Sequence, residues 1–369
     1  MRVQIVDPPA YTPPYDRSLC AALAHADGPP EVELVTSAFA YGEVPPAEGY
    51  DVSEAFYRRA SRMGPEARGR RLWRGAEHVR DMLRYRGRGS EGAEVVHFQW
   101  LAVPRLDQHL LPRGRPLALT PHGLLRGPIG SHTALLRRMD ALVALSEYGA
   151  GVLRDRAGIN PDRVHVIPHG PLEYLTRLPD PAPLAPDLAA AEAPVVLYFG
   201  LIRPYKGVDL LLEAFREVEG AELWIVGRPM GVDLAQLAEA AGRCRSTVRL
   251  LPRFVPDREL PAIFERAELV VLPHREAEQS GVLYTALAFR KAVLMSDVGG
   301  FPEVAALGAG ETFPAGDARA LAGALADLLS DKAARQRLAR AAGEAAAGTY
   351  SWDEIARQHI ALYQRLMRR

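Results

Sequence analysis

The sequence predicts an α/β fold built from two doubly wound domains, and three observations support this prediction. The chain has 369 residues, more than one ordinary hydrophobic core accommodates. Short apolar runs of strand length alternate with helical stretches, a pattern typical of parallel sheets covered by helices on both faces. The alternation stops in a segment rich in proline and alanine and then starts again. We therefore expect two α/β domains joined by a linker.

The first predicted domain covers residues 1–178. Its apolar runs predict strands because they are short, rich in Val, Ile and Leu, and followed by Pro, Gly or polar residues. The predicted strands are residues 3–6, 31–36, 94–99, 117–120, 140–146 and 163–168. Helical stretches between them include residues 15–26 and 148–157.

Residues 179–194 form the predicted linker, because proline and alanine recur there without a helical or strand period. The second predicted domain covers residues 195–352, and a last helix within 353–369 is expected to pack back on the first domain. Its predicted strands are residues 195–199, 222–226, 248–250, 269–272 and 292–296. Its predicted helices are residues 208–218, 234–241, 259–265, 282–289, 303–306 and 318–329.

Composition excludes several classes of protein. Lys plus Arg and Asp plus Glu both number 45, so the chain lacks the basic excess of a dedicated nucleic-acid binder. Cys20 and Cys244 are far apart and have no metal-ligand spacing, which indicates free thiols in a reducing compartment. Residues 1–7 already have the pattern of a strand, and no apolar run approaches the ~20 residues of a spanning helix. We expect a cytoplasmic protein.

The turn after residues 195–199 carries the clearest chemical signal in the chain. Gly200 follows the strand, Arg203 and Lys206 follow within the turn, and a helix begins after Gly207. Backbone N–H groups at a helix start and two fixed cations together bind a diphosphate well. The alternative is a solvated turn with ordinary basic residues, but the flanking glycines and the strand–turn–helix context favour the diphosphate site.

A second segment, residues 276–289, follows the strand 269–272. Two acidic residues, Glu276 and Glu278, precede a predicted helix that opens with Ser280 and Gly281 and continues through Val282. The N–H groups of such small residues at a helix start suit a phosphate. The alternative for either glutamate is an exposed loop charge.

These two segments resemble family 4 of the glycosyltransferases, retaining sugar-nucleotide enzymes of the GT-B fold. The resemblance is strong over residues 195–329 and extends over the first domain mainly through architecture and a few strand ends. It implies two Rossmann-like domains that face each other across a cleft. It also implies that Arg203 and Lys206 hold the donor diphosphate, and that Glu278, or else Glu276, orients the transferred sugar.

The chain departs from the family pattern at three places. The family arginine usually follows the strand-end glycine directly, where this chain has Leu201. Of the two glutamates that the family places eight positions apart, the first aligns with Ala277 and the second with Thr285. The resemblance implies a ribose contact at the second position, and the Thr285 hydroxyl is expected to provide it.

Further loops complete the predicted donor site. Gly227 and Arg228 follow another strand end, and the glycines 299 and 300 form a turn that allows close backbone approach. A tight connection with no ligand is the alternative for that turn. The resemblance also implies that the loop of Phe254 holds the base through main-chain atoms.

In the first domain, the resemblance implies that His122, at the end of the strand 117–120, lies near the transferred sugar. A structural histidine is the alternative. The loop of residues 7–16 contains four prolines and no glycine, which makes close backbone approach to a phosphate unfavourable. We assign this loop to acceptor binding.

Residues 58–88 are rich in arginine. Leu72, Ala76, Val79 and Leu83 recur within them at helical spacing, beside Arg70, Arg71, Arg74 and Arg80. Such a helix suits an anionic membrane surface or a phosphate-bearing acceptor. The alternative is an ordinary amphipathic helix with a solvated basic face.

The leading hypothesis is a retaining hexosyltransferase that moves a sugar from a nucleoside diphosphate-sugar to the hydroxyl of a glycan, lipid-linked or natural-product acceptor. We expect no cofactor and no metal, because no Asp-x-Asp pair occurs in a suitable loop and the cations of the turn supply the charge. Two alternatives stay open. One is a sugar-nucleotide epimerase or a phosphorylase of the same fold, and the other is a non-catalytic nucleotide-sugar-binding protein.

Overall fold

The computed structural model of the chain describes residues 1–42, 44–64, 67–123 and 132–368, which fall into two units. The first unit is Met1–Gly170 together with the segment that begins at Trp352, and the second is Pro171–Ser351. The segment predicted as a linker, residues 179–194, lies within the second unit. Leu188 of this segment is buried in the hydrophobic core of that unit.

Seven parallel strands form the sheet of the first unit. They are β1 (Arg2–Asp7), β2 (Glu31–Thr36), β3 (Asp51–Glu54), β4 (Val95–Phe98), β5 (Leu117–Leu119), β6 (Ala141–Ala144) and β7 (Val164–Val166). Their order across the sheet is β3-β2-β1-β4-β5-β6-β7. The helices are α1 (Pro13–His25), α2 (Arg70–Arg84), α3 (Pro104–Asp107), α4 (Thr133–Leu136), α5 (Glu147–Gly151) and the C-terminal α14 (Trp352–Met367).

Six parallel strands form the sheet of the second unit, in the order β10-β9-β8-β11-β12-β13. They are β8 (Val195–Phe199), β9 (Glu222–Val226), β10 (Val248–Leu251), β11 (Ala267–Leu272), β12 (Ala292–Ser296) and β13 (Glu311–Phe313). The helices are α6 (Pro186–Ala189), α7 (Val208–Phe215), α8 (Leu234–Gly242), α9 (Leu260–Arg266), α10 (Gly281–Ala288), α11 (Phe301–Ala306), α12 (Ala318–Ser330) and α13 (Lys332–Ala347).

Each sheet is buried on both faces, as its sequence pattern requires. In β4, Val95 packs into the cluster on one face of the sheet, whereas Val96 and Phe98 pack into the cluster on the other. Likewise, Val195 and Val196 of β8 pack into two different clusters, one on each face of the second sheet. Near-continuous apolar runs are needed because successive side chains of a strand point to opposite faces. The predicted α/β fold with two Rossmann-like sheets is confirmed.

The strand order fixes where ligands bind in such sheets. The order reverses between β1 and β4 in the first unit, and between β8 and β11 in the second. Loops that leave the carboxyl ends of two such strands run in opposite directions, so a crevice opens between them. We call these places the first and the second switch point. Among the described helices, none is both long and apolar enough to cross a membrane.

Candidate functional site

The predicted diphosphate loop lies at the second switch point, directly after β8. Pro204–Lys206 forms one turn of 3-10 helix, and α7 begins after Gly207, which has a φ of +68°. A Cβ atom at Gly207 would lie less than 3.0 Å from the carbonyl oxygen of Pro273, at the end of β11. The glycine therefore allows the β8 loop to press against the β11 loop.

Lys206 lies where these two loops meet. A Cβ atom added at Gly200, which has a φ of +113°, would lie 3.7 Å from the Lys206 Nζ and 3.1 Å from a Val282 methyl group. Gly200, Lys206 and Val282 of the predicted site are thus neighbours. The ammonium lies over a bare stretch of backbone and close to the first turn of α10, whose N–H groups favour anions.

Arg203 is half-buried and lies against the loop that follows β9. Its Nη2 is 3.4 Å from the Met230 sulfur. The two loops are joined by backbone hydrogen bonds, from Ile202 N–H to the Arg228 carbonyl (2.9 Å) and from Met230 N–H to the Ile202 carbonyl (2.8 Å). Within the described part of the chain, no carboxylate pairs with Arg203. Its charge is therefore available to an anion.

Another arginine near this edge is neutralised by a carboxylate. Arg275 forms a bidentate pair with Asp209 (2.8 and 2.7 Å) and also donates to the Pro204 carbonyl. This pair lowers the pKa of Asp209 and raises that of Arg275, with the hydrogen bond as the main cause. The Arg275 N–H additionally donates to the Tyr205 carbonyl (2.7 Å). Arg275 clamps the cationic turn in place, a role that no sequence motif indicates.

Gly227 brings the β8 and β9 loops together. Its φ is +149°, and a Cβ atom there would lie less than 3.0 Å from the Gly200 carbonyl oxygen. Arg228, the next residue, is half-buried.

In the loop that follows β10, Phe254 exposes 42% of its surface, while Arg253 pairs with Glu259 (3.1 and 2.5 Å). An exposed ring beside a fixed main chain is consistent with the predicted contact to a base.

The structure separates the two candidate glutamates. Glu276 is exposed, whereas Glu278 is 7% exposed. The turn after β12 holds the loop, because the Gly300 N–H donates to the Glu278 carbonyl (3.1 Å). Gly299, with a φ of +58°, leaves no space for a Cβ atom beside the Ala277 carbonyl oxygen. Glu278 therefore occupies a fixed position at the switch point, and Glu276 does not.

The start of α10 carries two hydroxyl groups with different environments. Ser280 is 5% exposed, and its Oγ makes no hydrogen bond to any described residue. A buried hydroxyl without a partner is uncommon and suits a ligand oxygen. Thr285 is 2% exposed, and its Oγ1 donates to the Gly281 carbonyl (2.9 Å). The Thr285 hydroxyl, which the family resemblance assigns to a ribose contact, thus already donates its hydrogen bond within the helix.

His122 follows β5, and its side chain contacts Gln99 and Trp100, which follow β4 at the first switch point. Its Nε2 is 3.0 Å from the Gln99 Oε1, and its ring stacks on Trp100 with centroids 5.6 Å apart. Burial, and secondly the nearby His169, lowers the pKa of His122 to about 3. The imidazole is therefore neutral at physiological pH. It provides hydrogen bonds at this site rather than a charge.

The loop after β1 is organised by a buried carboxylate. Asp7 Oδ2 accepts hydrogen bonds from the N–H groups of Tyr11 (2.7 Å) and Thr12 (3.2 Å). Thr12 Oγ1 in turn lies 3.3 Å from Asp16. Burial raises the pKa of Asp7 to about 6, and burial with repulsion from Asp7 raises that of Asp16. The first switch point thus contains carboxyl and aromatic groups, and the described residues contain no cluster of metal ligands.

Comparisons with known proteins agree with this arrangement. Residues 17–170 match the family model of glycosyltransferase family 4, and residues 193–331 match that of glycosyl transferases group 1. The chain is 30% identical to a D-inositol 3-phosphate glycosyltransferase from Xylanimonas cellulosilytica over 320 residues, 78% of this chain and 76% of the relative. Over 101 residues it is 39% identical to a GDP-mannose:glycolipid 4-beta-D-mannosyltransferase from Xanthomonas campestris, which covers 27% of this chain and 29% of that enzyme.

Solved structures share the fold over almost the whole chain. Sucrose-phosphate synthase from Thermosynechococcus elongatus superimposes with a TM-score of 0.75 at 19% identity, covering 100% of this chain and 99% of that one. Anabaena Alr3699/HepE in complex with UDP and glucose gives a TM-score of 0.72 at 17% identity, covering 99% and 100%. At these identities the likeness concerns the fold.

Proposed function

The chain belongs to the family 4, group 1 glycosyltransferases and is a hexosyltransferase-type enzyme, and from this premise we propose that it transfers a sugar from a nucleoside diphosphate-sugar to an acceptor hydroxyl. The proposal rests on the geometry of the second switch point. There Lys206, Gly200 and the start of α10 are neighbours, and Arg203 has no carboxylate partner among the described residues. Relatives support the donor class, since one is named for GDP-mannose and one structure holds UDP and glucose.

In this proposal Arg203 and Lys206 act on the leaving group. When the sugar leaves, the β-phosphate gains negative charge, and fixed cations stabilise that charge more in the transition state than in the bound donor. Lysine supplies a compact charge and arginine a planar fork with several donors. The Arg275–Asp209 clamp keeps the turn in position, so little reorganisation is needed during the reaction.

The loop before α10 and the start of that helix provide the contacts to the sugar and the phosphate. Glu278 is the acidic residue with a fixed position, and its carboxylate suits the hydroxyls of a hexose. The Ser280 hydroxyl and the N–H groups of the first turn of α10 suit the phosphate oxygens. Gly281 leaves open space at this position, because a Cβ atom there would meet nothing within 4 Å. His122 remains a predicted sugar contact of the first unit.

We infer that the reaction retains the anomeric configuration and needs no metal. The sequence offers no obvious nucleophile for a double displacement, so retention would proceed by front-face attack or through a short-lived ion pair. Arg203, Lys206 and the α10 N-terminus together supply the positive charge that a divalent cation supplies elsewhere.

The experiment that tests the proposal is a thermal-shift panel of UDP, GDP, TDP and ADP and their common sugar conjugates, with and without EDTA. We expect one nucleotide to stabilise the wild type in EDTA, and Arg203→Ala and Lys206→Ala to abolish the shift. Lys332→Ala is the matched control, because Lys332 is an exposed residue at the start of α13 in the same unit.

Turnover separates the proposal from its alternatives. With the stabilising sugar nucleotide and a panel of hydroxyl acceptors, nuclear magnetic resonance of the product should show the anomeric configuration of the donor. An inverted product would contradict retention. Activity that EDTA abolishes and Mg²⁺ restores would contradict metal independence, and binding without turnover on any acceptor would favour a non-catalytic nucleotide-sugar-binding protein.

A further inference from the structure

The surface of α2 carries an exposed apolar stripe. Leu72, Val79 and Leu83 expose 81%, 37% and 48% of their surface, and Ala76 between them is also exposed. Their spacing places the four side chains along one line of the helix. We call this line the outer stripe. Exposed apolar residues that occur singly are ordinary, but a contiguous apolar patch marks an interaction surface.

The outer stripe faces away from the core because α2 is attached through its polar side. Glu77 accepts hydrogen bonds from the N–H groups of Arg59 (3.1 Å) and Ala60 (3.0 Å), and Asp81 accepts one from Tyr57 N–H (2.9 Å). All three bonds tie the helix to the segment that follows β3. Met82 is also buried in the core of the first unit, but the other buried side chains of α2 are polar, so the usual amphipathic arrangement is largely reversed in this helix.

A histidine strengthens this polar attachment. His78 is buried, with its Nδ1 2.6 Å from the Tyr57 hydroxyl and its Nε2 2.6 Å from the Asp107 carboxylate. These buried bonds fix the rotation of the helix about its axis, since a rotated helix would leave buried polar groups without partners. The outer stripe is therefore held in an exposed position by the structure and is not a helix face awaiting a core.

Arginines surround the outer stripe. Residues 58–88 contain eleven arginines and three acidic residues, a formal net charge of +8 in a chain whose total is zero. Helical spacing places Arg80 and Arg84 on one side of the stripe and Arg71 on the other, and all three are exposed. Arg80 (3.1 Å) and Arg84 (3.7 Å) share the buried Asp81 carboxylate, whereas no carboxylate of the described residues pairs with Arg71. The two acidic residues of α2, Glu77 and Asp81, are buried on the opposite side.

An aromatic residue adds to the same surface. Trp73 exposes 46% of its surface, and the Arg59 guanidinium lies over its ring at 5.6 Å from the centroid. Indole rings favour the boundary between lipid headgroups and acyl chains, and long arginine side chains reach the phosphates above an apolar contact. A straight apolar line, a tryptophan and flanking arginines together match a flat anionic surface.

We propose that the outer stripe of α2 docks the protein on an anionic lipid bilayer, with the helix lying in the plane of the interface. Leu72, Val79 and Leu83 enter the boundary of the acyl chains, and Arg71, Arg80 and Arg84 contact lipid phosphates. A bilayer fits better than a soluble phosphorylated acceptor, because phosphate recognition alone gives no reason for three exposed large apolar residues between the arginines. This proposal does not depend on the chemistry of the second switch point.

The test uses the full chain and vesicles of phosphatidylcholine, alone or mixed with phosphatidylglycerol. We expect sedimentation with the mixed vesicles only, and a blue shift of tryptophan fluorescence that Trp73→Phe removes. The double variant Leu72→Gln and Leu83→Gln, which keeps the charge, should weaken vesicle binding by about tenfold or more. Arg71→Gln with Arg84→Gln should weaken it by about tenfold and reduce its dependence on salt.

Two controls separate docking from folding and from the proposed reaction. Leu307→Gln removes an exposed leucine of the second unit, 45% exposed, and should leave vesicle binding unchanged. Each variant should keep the wild-type circular dichroism, melting temperature and stabilisation by the donor nucleotide. Vesicle binding that survives the double leucine change would overturn the proposal. So would binding that needs only the arginines and is competed equally by a soluble phosphate ester, since this would assign the surface to a soluble ligand.

Discussion

At the second switch point, Gly200, Gly227 and Gly299 allow neighbouring loops into direct backbone contact, and Arg203 and Lys206 lie beside them. At the first switch point, the loop after β1 contains four prolines and is tied down by Asp7, and its surroundings are mainly buried carboxyl and imidazole groups and the half-buried Trp100 indole. Arg74 of α2 reaches this loop, but it donates to the Pro9 carbonyl (3.3 Å) and lies over the Tyr11 ring. The strands that flank the two switch points follow each other in the same order in the two sheets. The order decides where a ligand binds, and the side chains decide which charge it carries.

The comparison predicts that the glycines of the second switch point are indispensable. Gly227→Ala introduces a methyl group against the Gly200 carbonyl oxygen at a φ that alanine rarely adopts. We expect the free energy of unfolding to fall by about 3 kcal/mol or more and nucleotide binding to be lost. Chemical denaturation and calorimetry measure both. Gly242→Ala is the control, because its Cβ atom would meet nothing within 4 Å, and a Gly227→Ala protein with normal binding would contradict the account.

Burial and fixed position distinguish the two acidic residues before α10. Glu278→Gln should lower kcat/KM by about 100-fold, because a positioned charge near the reacting sugar is lost without a change in shape. Glu276→Gln removes an exposed charge and should change kcat/KM by less than about threefold. Steady-state kinetics on both variants decides the matter. Equal effects would show that neither burial nor loop contact identifies the functional glutamate.

A pH experiment tests the carboxyl character of the first switch point. Burial raises the pKa of Asp7 from 3.8 to about 6, so the folded state holds its proton more tightly than the unfolded state. The stability that Asp7 contributes is therefore present below pH 3.8 and is lost as the pH rises to about 6.

Asp7→Asn removes this dependence. The stability of the variant relative to the wild type should rise between pH 4 and 6, by up to about 3 kcal/mol, and stay constant above. Urea denaturation across this range measures the difference, with Asp327→Asn as a control because its carboxylate is exposed. A difference that does not change with pH would contradict a buried, proton-holding Asp7.

The smallest expected effect concerns Thr285. Its hydroxyl donates to the Gly281 carbonyl, so we expect Thr285→Val to change donor affinity by less than about twofold. Calorimetric titration with the donor nucleotide measures this. A loss of tenfold or more, without a lower melting temperature, would instead support the ribose contact that the family resemblance implies.

The strands next to the two switch points could be predicted from the sequence. These strands, β1, β4, β8 and β11, are central and apolar, and loop residues follow each of them. The sequence did not predict the edge strands β3 and β13, since these are short and β3 has mostly exposed residues. It also missed α13. This helix consists largely of alanine and arginine, so its buried alanines and buried Arg335 give little contrast between its two sides.

Contacts between distant loops could not be predicted. Arg275 and Asp209 are 66 residues apart, and only the fold shows that they clamp the cationic turn. The regular spacing of the outer stripe could be recognised in the sequence, but the sequence did not show whether the stripe faces the core or the solvent. Periodicity predicts that a helix has an apolar side, and here buried Glu77, His78 and Asp81 decide that this side faces outward.

The central claim is that the second switch point binds the donor through its diphosphate. The most direct measurement is calorimetric titration of the wild type, Lys206→Ala and Lys332→Ala with the nucleoside diphosphate that gives the largest thermal shift, and with the matching nucleoside. We predict that Lys206→Ala lowers diphosphate affinity at least about tenfold, leaves nucleoside affinity unchanged, and differs in this from Lys332→Ala. Equal diphosphate affinity in all three proteins would contradict the claim.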